Sequence, residues 1–271
     1  MGYRQGMQHR APAEPRAILP GPHAEHDADL VAVEAPLEIR AEERTLGILM
    51  RTPGHDRALA AGLLLSEGVI DDASDLAALD HLAGDPDANT IVARFAAGVE
   101  AHAEALERAR REGFTSSACG VCGRAAIDRA LLGSRPVRST ALTDDAVRRL
   151  PGALRGHQAT FAATGGVHGA ALVAPDGSLH HAHEDVGRHN AVDKALGDAL
   201  LADTLFDGAP WALLVSSRAG FEIVQKASMA GIGAVYALGA ATTLAVDLAA
   251  ARGIALTGFL KPERWVRYRT S

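Results

Sequence analysis

Apolar and polar positions alternate, or recur at helical spacing, along most of the chain after residue 28. Residues 37–40 alternate apolar and polar side chains, as a half-buried strand does, and residues 46–51 resemble its hairpin partner. Further strands are predicted over 29–33 and 89–95, and helices over 57–67 and 100–112. Thr52 followed by Pro53 resembles an N-cap with a first-turn proline. The pattern therefore predicts a smaller α+β portion over residues 29–112.

A second portion, residues 113–271, has its clearest pattern near its end. Strands are predicted over 211–215, 234–238 and 254–260, with helices over 221–230 and 242–251 between them. This alternation is typical of a parallel sheet covered by helices, so the fold class is α/β. Upstream, helices are predicted over 124–132, 143–154 (with Thr143 as cap) and 190–201, and strands over 160–163 and 170–174.

Composition narrows the class of protein. The chain has 271 residues, of which 48% are hydrophobic and 22% charged, which indicates packed cores. Its formal net charge of −6 disfavours a nucleic-acid binder. No apolar run is long enough to span a membrane, and the N-terminus lacks the apolar region of a secretory signal. We expect a cytoplasmic protein with a mobile tail over residues 1–28, which lack periodicity.

The chain has two cysteines, Cys119 and Cys122, in the segment TSSACGVCGR. Gly120 and Gly123 permit unusual backbone angles and the close approach of a partner. The helix predicted just after them, together with Arg124, would favour a thiolate, which is the nucleophile of thiol and persulfide chemistry. The segment is therefore the leading candidate for a reactive site.

Several interpretations of the cysteine pair stay open on the residues alone. A structural zinc site would need two more ligands, and a thioredoxin-like motif would lie near the start of its fold. A zinc deaminase would need a proline where Ala118 stands, although His102-Ala103-Glu104 does precede the cysteines. The two thiols could also be incidental. We expect no bound metal.

Residues 184–194, EDVGRHNAVDK, place many polar groups at a predicted helix start. They could form a charged cap, with Asp185 or Asn190 capping and Asp193 and Lys194 facing solvent. They could instead form a polar patch that faces a ligand pocket. His180, His181, His183 and His189 are better explained as exposed histidines than as metal ligands.

Three further segments could hold an anionic ligand. Gly165, Gly166 and His168 lie in a predicted turn between strands, where backbone amides could bind phosphate. Residues 216–220 follow a strand and precede a helix, so Ser217 and Arg218 suit phosphate, although Ser217 could simply cap the helix. The C-terminal segment from Lys261 combines basic residues with aromatic ones, a pattern that suits a nucleotide or a solvated tail.

Several motifs together resemble one known family, that of formate dehydrogenase accessory sulfurtransferases (FdhD family). In chain order they are EAPLEIR, RTPGHDRALAAGLLLSEGVI, SSACGVCGR, TGGVHGAAL, HEDVGRHNAVDKALG, FEIVQKASMAGI and TTLAVDLAAARGIALTGFLKP. The likeness covers roughly residues 31–268. Residues 216–220 depart from the Ser-Gly-Arg-x-Ser that the family would have there, and Ala241 stands where the family has a proline.

The resemblance implies a function. Members of the family take persulfide sulfur from a cysteine desulfurase and pass it to the bis(molybdopterin guanine dinucleotide) molybdenum cofactor of formate dehydrogenase. Cys119 matches the carrier cysteine and Cys122 the second cysteine of the family's loop. The cofactor-binding segment matches Phe259, Leu260, Lys261, Pro262, Glu263 and Arg264, and guanosine diphosphate would act as a mimic of the cofactor. The family fold resembles cytidine deaminases, an α/β/α layered domain, and is usually dimeric. A binding chaperone without sulfur chemistry is the alternative.

Overall fold

The computed structural model describes residues 12–17, 28–112, 135–138 and 142–269. Within them the strands are β1 (Ala13–Ala17), β2 (Ala28–Ala32), β3 (Ala35–Ala41), β4 (Arg44–Arg51), β5 (Leu76–His81), β6 (Thr90–Phe95), β7 (His168–Val173), β8 (Leu179–Asp185), β9 (Ala212–Val215), β10 (Ala234–Ala237), β11 (Ala255–Lys261) and β12 (Arg264–Arg267). The helices are α1 (Asp56–Ser66), α2 (Ala103–Glu112), α3 (Asp144–Gly156), α4 (Ala159–Thr164), α5 (Arg188–Leu201), α6 (Phe221–Met229) and α7 (Thr243–Arg252). Short 3-10 turns lie at Ala73–Asp75 and Val99–His102.

The first portion is built on a four-stranded sheet with the order β4-β3-β6-β5. Strand β3 is antiparallel to β4 and parallel to β6. In β3 the side chains of Leu37, Ile39 and Ala41 are buried, and the residues between them are more exposed. The predicted hairpin and its alternation are therefore confirmed.

The second portion is built on a six-stranded sheet with the order β12-β11-β10-β9-β7-β8. Strands β9, β10 and β11 are parallel, as predicted, and β7, β8 and β12 are antiparallel to their neighbours. Helix α3 packs on one face and α5, α6 and α7 on the other, so β9 and β10 are buried throughout. The mixed α/β class is confirmed, and the likeness to cytidine deaminases stays a prediction.

Helices α1 and α5 join the two portions. One apolar core runs from Leu37 and Ile39 of β3 to Leu172 of β7 and Leu213 of β9. The helices touch at two glycines: a Cβ on Gly62 would lie 1.9 Å from the Asp193 carbonyl oxygen, and one on Gly197 would lie 1.9 Å from that of Ala58. The portion boundary after residue 112 stays a prediction, because residues 113–134 lie outside the described ranges.

The strand predicted over 160–163 is wrong, because these residues belong to helix α4. The backbone amides of Thr160 and Phe161 both donate to the Glu184 carboxylate, each at 2.8 Å. Gly165 ends this helix in a left-handed conformation, with φ 65°, so Gly165 and Gly166 do not form a hairpin turn. A side chain of β8, distant along the chain, therefore stabilises a helix start that local pattern did not indicate.

The N-cap predicted at Thr52 is also wrong. Helix α1 begins at Asp56, and His55 occupies the N-cap position with φ 57°. Thr52 instead bonds to the second portion: its amide donates to Asp185 at 3.1 Å, and its hydroxyl accepts from the Val186 amide at 3.1 Å. The amide and hydroxyl of Thr52 thus bond to residues of the second portion and do not cap the helix.

Among the described strands, four were not predicted: β1, β5, β8 and β12. Strand β1 lies inside the expected tail over 1–28 and pairs with β2. The side chains of β2 are mostly exposed, so this two-stranded sheet shows no alternation of apolar and polar residues that would predict it. Strand β8 carries the histidines that were expected before a helix, and β12 makes the C-terminal segment part of the sheet. The helix predicted over 124–132 lies outside the described residues.

Candidate functional site

The parallel strands end at one edge of the six-stranded sheet, here called the carboxyl edge and comprising residues 165–168, 185–189, 216–222, 238–243 and 258–259. Strand β7 begins and β8 ends at this edge, because His168 pairs with Asp185 and Ala170 with Val215. The Gly169 amide donates to the Ser216 hydroxyl at 2.9 Å. Such an edge is where open α/β sheets bind ligands.

In the described part of the chain, three helices begin at the carboxyl edge. The N-cap residues of α5, α6 and α7 are Gly187, Gly220 and Thr242, and none of them makes a side-chain cap. Ser217 does not cap α6, since its hydroxyl donates to the Arg218 carbonyl at 3.0 Å. First-turn amides without a capping side chain, at the positive end of a helix dipole, favour an anion.

The loops after β9 and β10 lie against each other through Gly239. Its amide donates to the Ser217 carbonyl at 3.0 Å, and a Cβ there would lie 2.9 Å from the Arg218 nitrogen. The Phe259 amide donates to the Gly239 carbonyl at 2.8 Å. The Arg218 side chain is exposed and forms no hydrogen bond to another described residue. The fold therefore brings Ser217, Arg218 and Phe259 together, as a shared site would require.

Phe259 departs from the strand conformation of its neighbours. Its φ is 52°, and the pairing of β11 with β12 shifts register between Gly258 and Lys261. The side chain is 45% exposed. Leu260, in contrast, is buried in the core under α3, so only its backbone could contact a ligand. The bulge thus turns an aromatic ring outward at the carboxyl edge.

The other residues of this predicted segment form the turn of the β11–β12 hairpin. Lys261, Pro262, Glu263 and Arg264 are all exposed. The Pro262 carbonyl accepts from Arg148 Nη1 of α3 at 3.2 Å. These positions form an exposed rim with two basic side chains, beside Phe259.

The aromatic residues of β12 pack within the fold. The Trp265 ring lies 5.1 Å from the guanidinium carbon of Arg148 and 5.7 Å from that of Arg267. Tyr268 packs against the core next to Gly258. The C-terminal segment is therefore neither a solvated tail nor a free stacking platform, and Phe259 is the exposed ring beside it.

Gly165, Gly166 and His168 lie where β7 begins. Both glycines are exposed, and the Gly166 amide donates to Thr164 Oγ1 at 3.1 Å. Burial lowers the pKa of His168, and the charges of Arg188 and His189 lower it further, against the opposing charge of Asp185. These residues share the carboxyl edge with the loop after β9.

A buried amide lies against the same strand. Gln158 is 3% exposed, and its Nε2 has no hydrogen-bond partner in the described part of the chain. A Cβ on Gly169 would lie 2.8 Å from that nitrogen, so glycine is needed there. Nothing in the sequence pattern indicated this residue.

The polar motif over 184–194 faces the interior as much as solvent. Lys194 Nζ lies 2.7 Å from Asp185 Oδ2, and Lys226 Nζ lies 2.8 Å from Asp193 Oδ1. Ser66 of α1 also donates to Asp193, at 2.9 Å. Burial raises the pKa of Asp193, which its two partners oppose. The interpretation with Asp193 and Lys194 in solvent is wrong, because both side chains are buried. Asp193 ties α5 to α1 and α6, whereas Lys194 ties α5 to Asp185 of β8 and to the Thr52 carbonyl.

Two residues of that motif, Arg188 and His189, stay partly exposed at the start of α5. His189 Nδ1 lies 2.9 Å from Glu222 Oε2 in the first turn of α6. The hydrogen bond from His189 lowers the pKa of Glu222. Sequence reasoning missed this pair, because nothing local links two residues on different helices.

Cys119, Cys122 and Arg124 of the cysteine segment lie outside the described residues. Among the residues that the structure does describe, no group of three or more His, Cys, Asp or Glu side chains is arranged to hold a metal ion. Over the same ranges, no helix is both long and apolar enough to cross a membrane.

Fold and site together define a mixed α/β protein with several helix N-termini gathered at one sheet edge. The chain belongs to the FdhD/NarQ family, whose pattern matches residues 32–271. It is 45% identical to the sulfur carrier protein FdhD of Streptomyces coelicolor, over 86% of this chain and 84% of that protein. It is 44% identical to the sulfur carrier protein FdhD of Anaeromyxobacter dehalogenans, over 87% and 85%.

A solved structure shares the fold. A protein from Desulfotalea psychrophila, assigned provisionally as a formate dehydrogenase accessory protein, matches with a TM-score of 0.72 over 95% of this chain and 96% of that one. Its sequence is 22% identical to this chain, so the likeness concerns the fold. The recognition of the family from its motifs is confirmed.

Proposed function

We propose that this protein is a sulfurtransferase that carries persulfide sulfur from a cysteine desulfurase to the bis(molybdopterin guanine dinucleotide) molybdenum cofactor, for use by formate dehydrogenase. The molybdenum cofactor is the substrate here and not a resident group. The family and the names of its curated relatives support the sulfur-carrier role. The protein acts in the cytoplasm as a homodimer with cytidine deaminase-like α/β/α layering.

The carboxyl edge is the observation that supports a dinucleotide substrate. Amides of α5, α6 and α7 without side-chain caps, together with Arg218, offer donors for phosphate oxygens. Phe259 offers an exposed ring for a base, and Lys261 and Arg264 line the rim beside it. One end of the substrate is thus held by charge and the other by stacking.

The sulfur chemistry belongs to Cys119 and Cys122. The Cys119 thiolate attacks the outer sulfur of the desulfurase persulfide, which forms a Cys119 persulfide and returns the desulfurase thiolate. Cys122 then attacks the Cys119 sulfur, which forms a Cys119–Cys122 disulfide and releases hydrosulfide for the molybdenum. A cellular dithiol reduces the disulfide and restores both thiols.

Intact mass spectrometry tests the carrier role. The protein is mixed with a cysteine desulfurase and cysteine, with Cys119→Ala and Cys122→Ala measured alongside. We expect the wild type to gain whole sulfur atoms that a reductant removes, and Cys119→Ala to gain none. Wild-type protein that gains no sulfur but still binds guanosine diphosphate would instead support a chaperone that holds the substrate without sulfur chemistry.

Charge reversal tests the rim of the substrate site. Lys261→Glu combined with Arg264→Glu should weaken guanosine diphosphate binding by about tenfold or more, because each lost charged hydrogen bond costs about 1.5–3 kcal/mol. Isothermal titration calorimetry measures the affinity. The matched control is Arg57→Glu with Arg94→Glu, which changes the net charge equally at exposed positions of the first portion. Equal affinity in both double variants would mean that Lys261 and Arg264 do not contribute to guanosine diphosphate binding.

A further inference from the structure

The motif over 184–194 contains two residues that the buried network does not use. Asp185, Asn190 and Asp193 are buried, whereas Arg188 and His189 are partly exposed at the first turn of α5. This turn lies at the carboxyl edge, beside the first turn of α6. The two turns are joined by the contact of His189 Nδ1 with Glu222 Oε2 at 2.9 Å.

The contact with Glu222 determines what the other ring nitrogen of His189 can do. A carboxylate that accepts from one imidazole nitrogen fixes the tautomer and the orientation of the ring. His189 Nε2 forms no hydrogen bond to a described residue, and the side chain is 24% exposed. With the Nδ1 proton donated to Glu222, Nε2 can donate only when the ring is an imidazolium.

The groups around His189 favour an anion beside it. Three nearby carboxylates already have partners: Asp185 pairs with Lys194, Asp193 pairs with Lys226, and Glu222 accepts from His189 itself. Arg188 has no ion-pair partner among the described residues. It lies next to the first-turn amides of α5 and α6, which no side chain caps. His168 of β7 faces the same groups, and burial lowers its pKa.

We propose that His189, oriented by Glu222, binds a phosphate oxygen of the dinucleotide substrate only while its ring is protonated, so that substrate affinity falls as the pH rises. His189 donates from Nε2 to the phosphate, and Glu222 is a positioning residue. Deprotonation turns Nε2 into an acceptor that faces the anion. The inference rests on the proposed function and adds the residue that makes binding at the carboxyl edge depend on pH.

The test is the pH profile of affinity for a guanosine diphosphate sugar. Both phosphates of this probe are esterified, so its charge stays constant while histidines titrate. Isothermal titration calorimetry at low ionic strength should give an affinity about tenfold weaker at about pH 8 than at about pH 5.5, because one charged hydrogen bond is lost. His189→Asn should bind weakly with a flat profile. Glu222→Gln should bind more weakly than the wild type at about pH 5.5, because the ring of His189 loses the carboxylate that orients it.

His180→Asn is the matched control, since His180 is exposed at the start of β8, at the opposite end of that strand from the carboxyl edge. It should keep the wild-type profile. A wild-type profile without pH dependence, or His189→Asn with the wild-type slope, would overturn the inference while the proposed function stands. Wild-type protein that does not bind the probe at any pH would overturn the substrate site as well, and the sulfur-acceptance experiment would then test the carrier role separately.

Discussion

At the scale of single residues, Lys226 and Asp193 form an ion pair that is almost closed to solvent. Lys226 Nζ donates to both Asp193 oxygens, at 2.8 and 2.9 Å, and the side chains are 7% and 2% exposed. Removing one member of such a pair leaves the other charge buried without compensation, whereas removing both does not.

Lys226→Met should therefore destabilise the protein by about 3–5 kcal/mol. Urea unfolding followed by circular dichroism measures the change. Lys226→Met combined with Asp193→Asn should recover a substantial part of the loss, since the amide keeps a partner in Ser66 without carrying a charge. A single variant within about 1 kcal/mol of the wild type would mean that the pair contributes little to stability.

At the scale of elements, the crossing of α1 and α5 depends on glycine. Gly62→Ala would bring its Cβ to 1.9 Å from the Asp193 carbonyl oxygen, so the helices must separate. We expect a loss of about 2–3 kcal/mol, because overpacking outweighs the better helix propensity of alanine. Thermal unfolding measures the change in stability.

Gly152→Ala in α3 is the control for that prediction. Gly152 is exposed, and a Cβ there would meet nothing within 4 Å. It should stabilise the protein by about 0.5–1 kcal/mol, as alanine does in an open helix position. If Gly62→Ala gave the same gain, the close approach of α1 and α5 would be disproved.

The elements also show which parts of the fold a sequence pattern can predict. The alternation in β3 and the apolar runs of β9 and β10 predicted strands correctly, because burial of their own side chains defines them. Helix α4 was predicted as a strand, because its start depends on Glu184 from another element. The candidate anion loop after β9 was predicted because its residues are consecutive in the sequence. The pair of His189 with Glu222 was not predicted, because it joins residues of two different helices.

At the scale of the whole molecule, contacts between the two portions include a buried histidine. His183 of β8 donates towards Asp198 of α5 at 3.1 Å, and its ring packs edge-on against His55, which precedes α1, with the centroids 4.5 Å apart. Burial lowers the pKa of His183 and the charge of His55 adds to this, although the hydrogen bond to Asp198 opposes both. The folded protein therefore favours the neutral ring at the junction of β8, α1 and α5.

This histidine should make the stability of the whole fold depend on pH. Because the pKa of His183 is lower in the folded than in the unfolded chain, the unfolded chain binds more protons as the pH falls below about 6.5. The stabilisation is complete above that pH and is lost as the pH falls through the folded pKa, with a slope of at most about 1.4 kcal/mol per pH unit for one group. His168, whose pKa is also lowered, acts in the same direction.

Urea unfolding at a series of pH values measures the slope. His183→Gln should reduce the slope, because glutamine keeps a donor towards Asp198 but does not titrate. An identical slope in that variant would assign the pH dependence to other groups and would mean that His183 is protonated as readily in the folded chain as in the unfolded one.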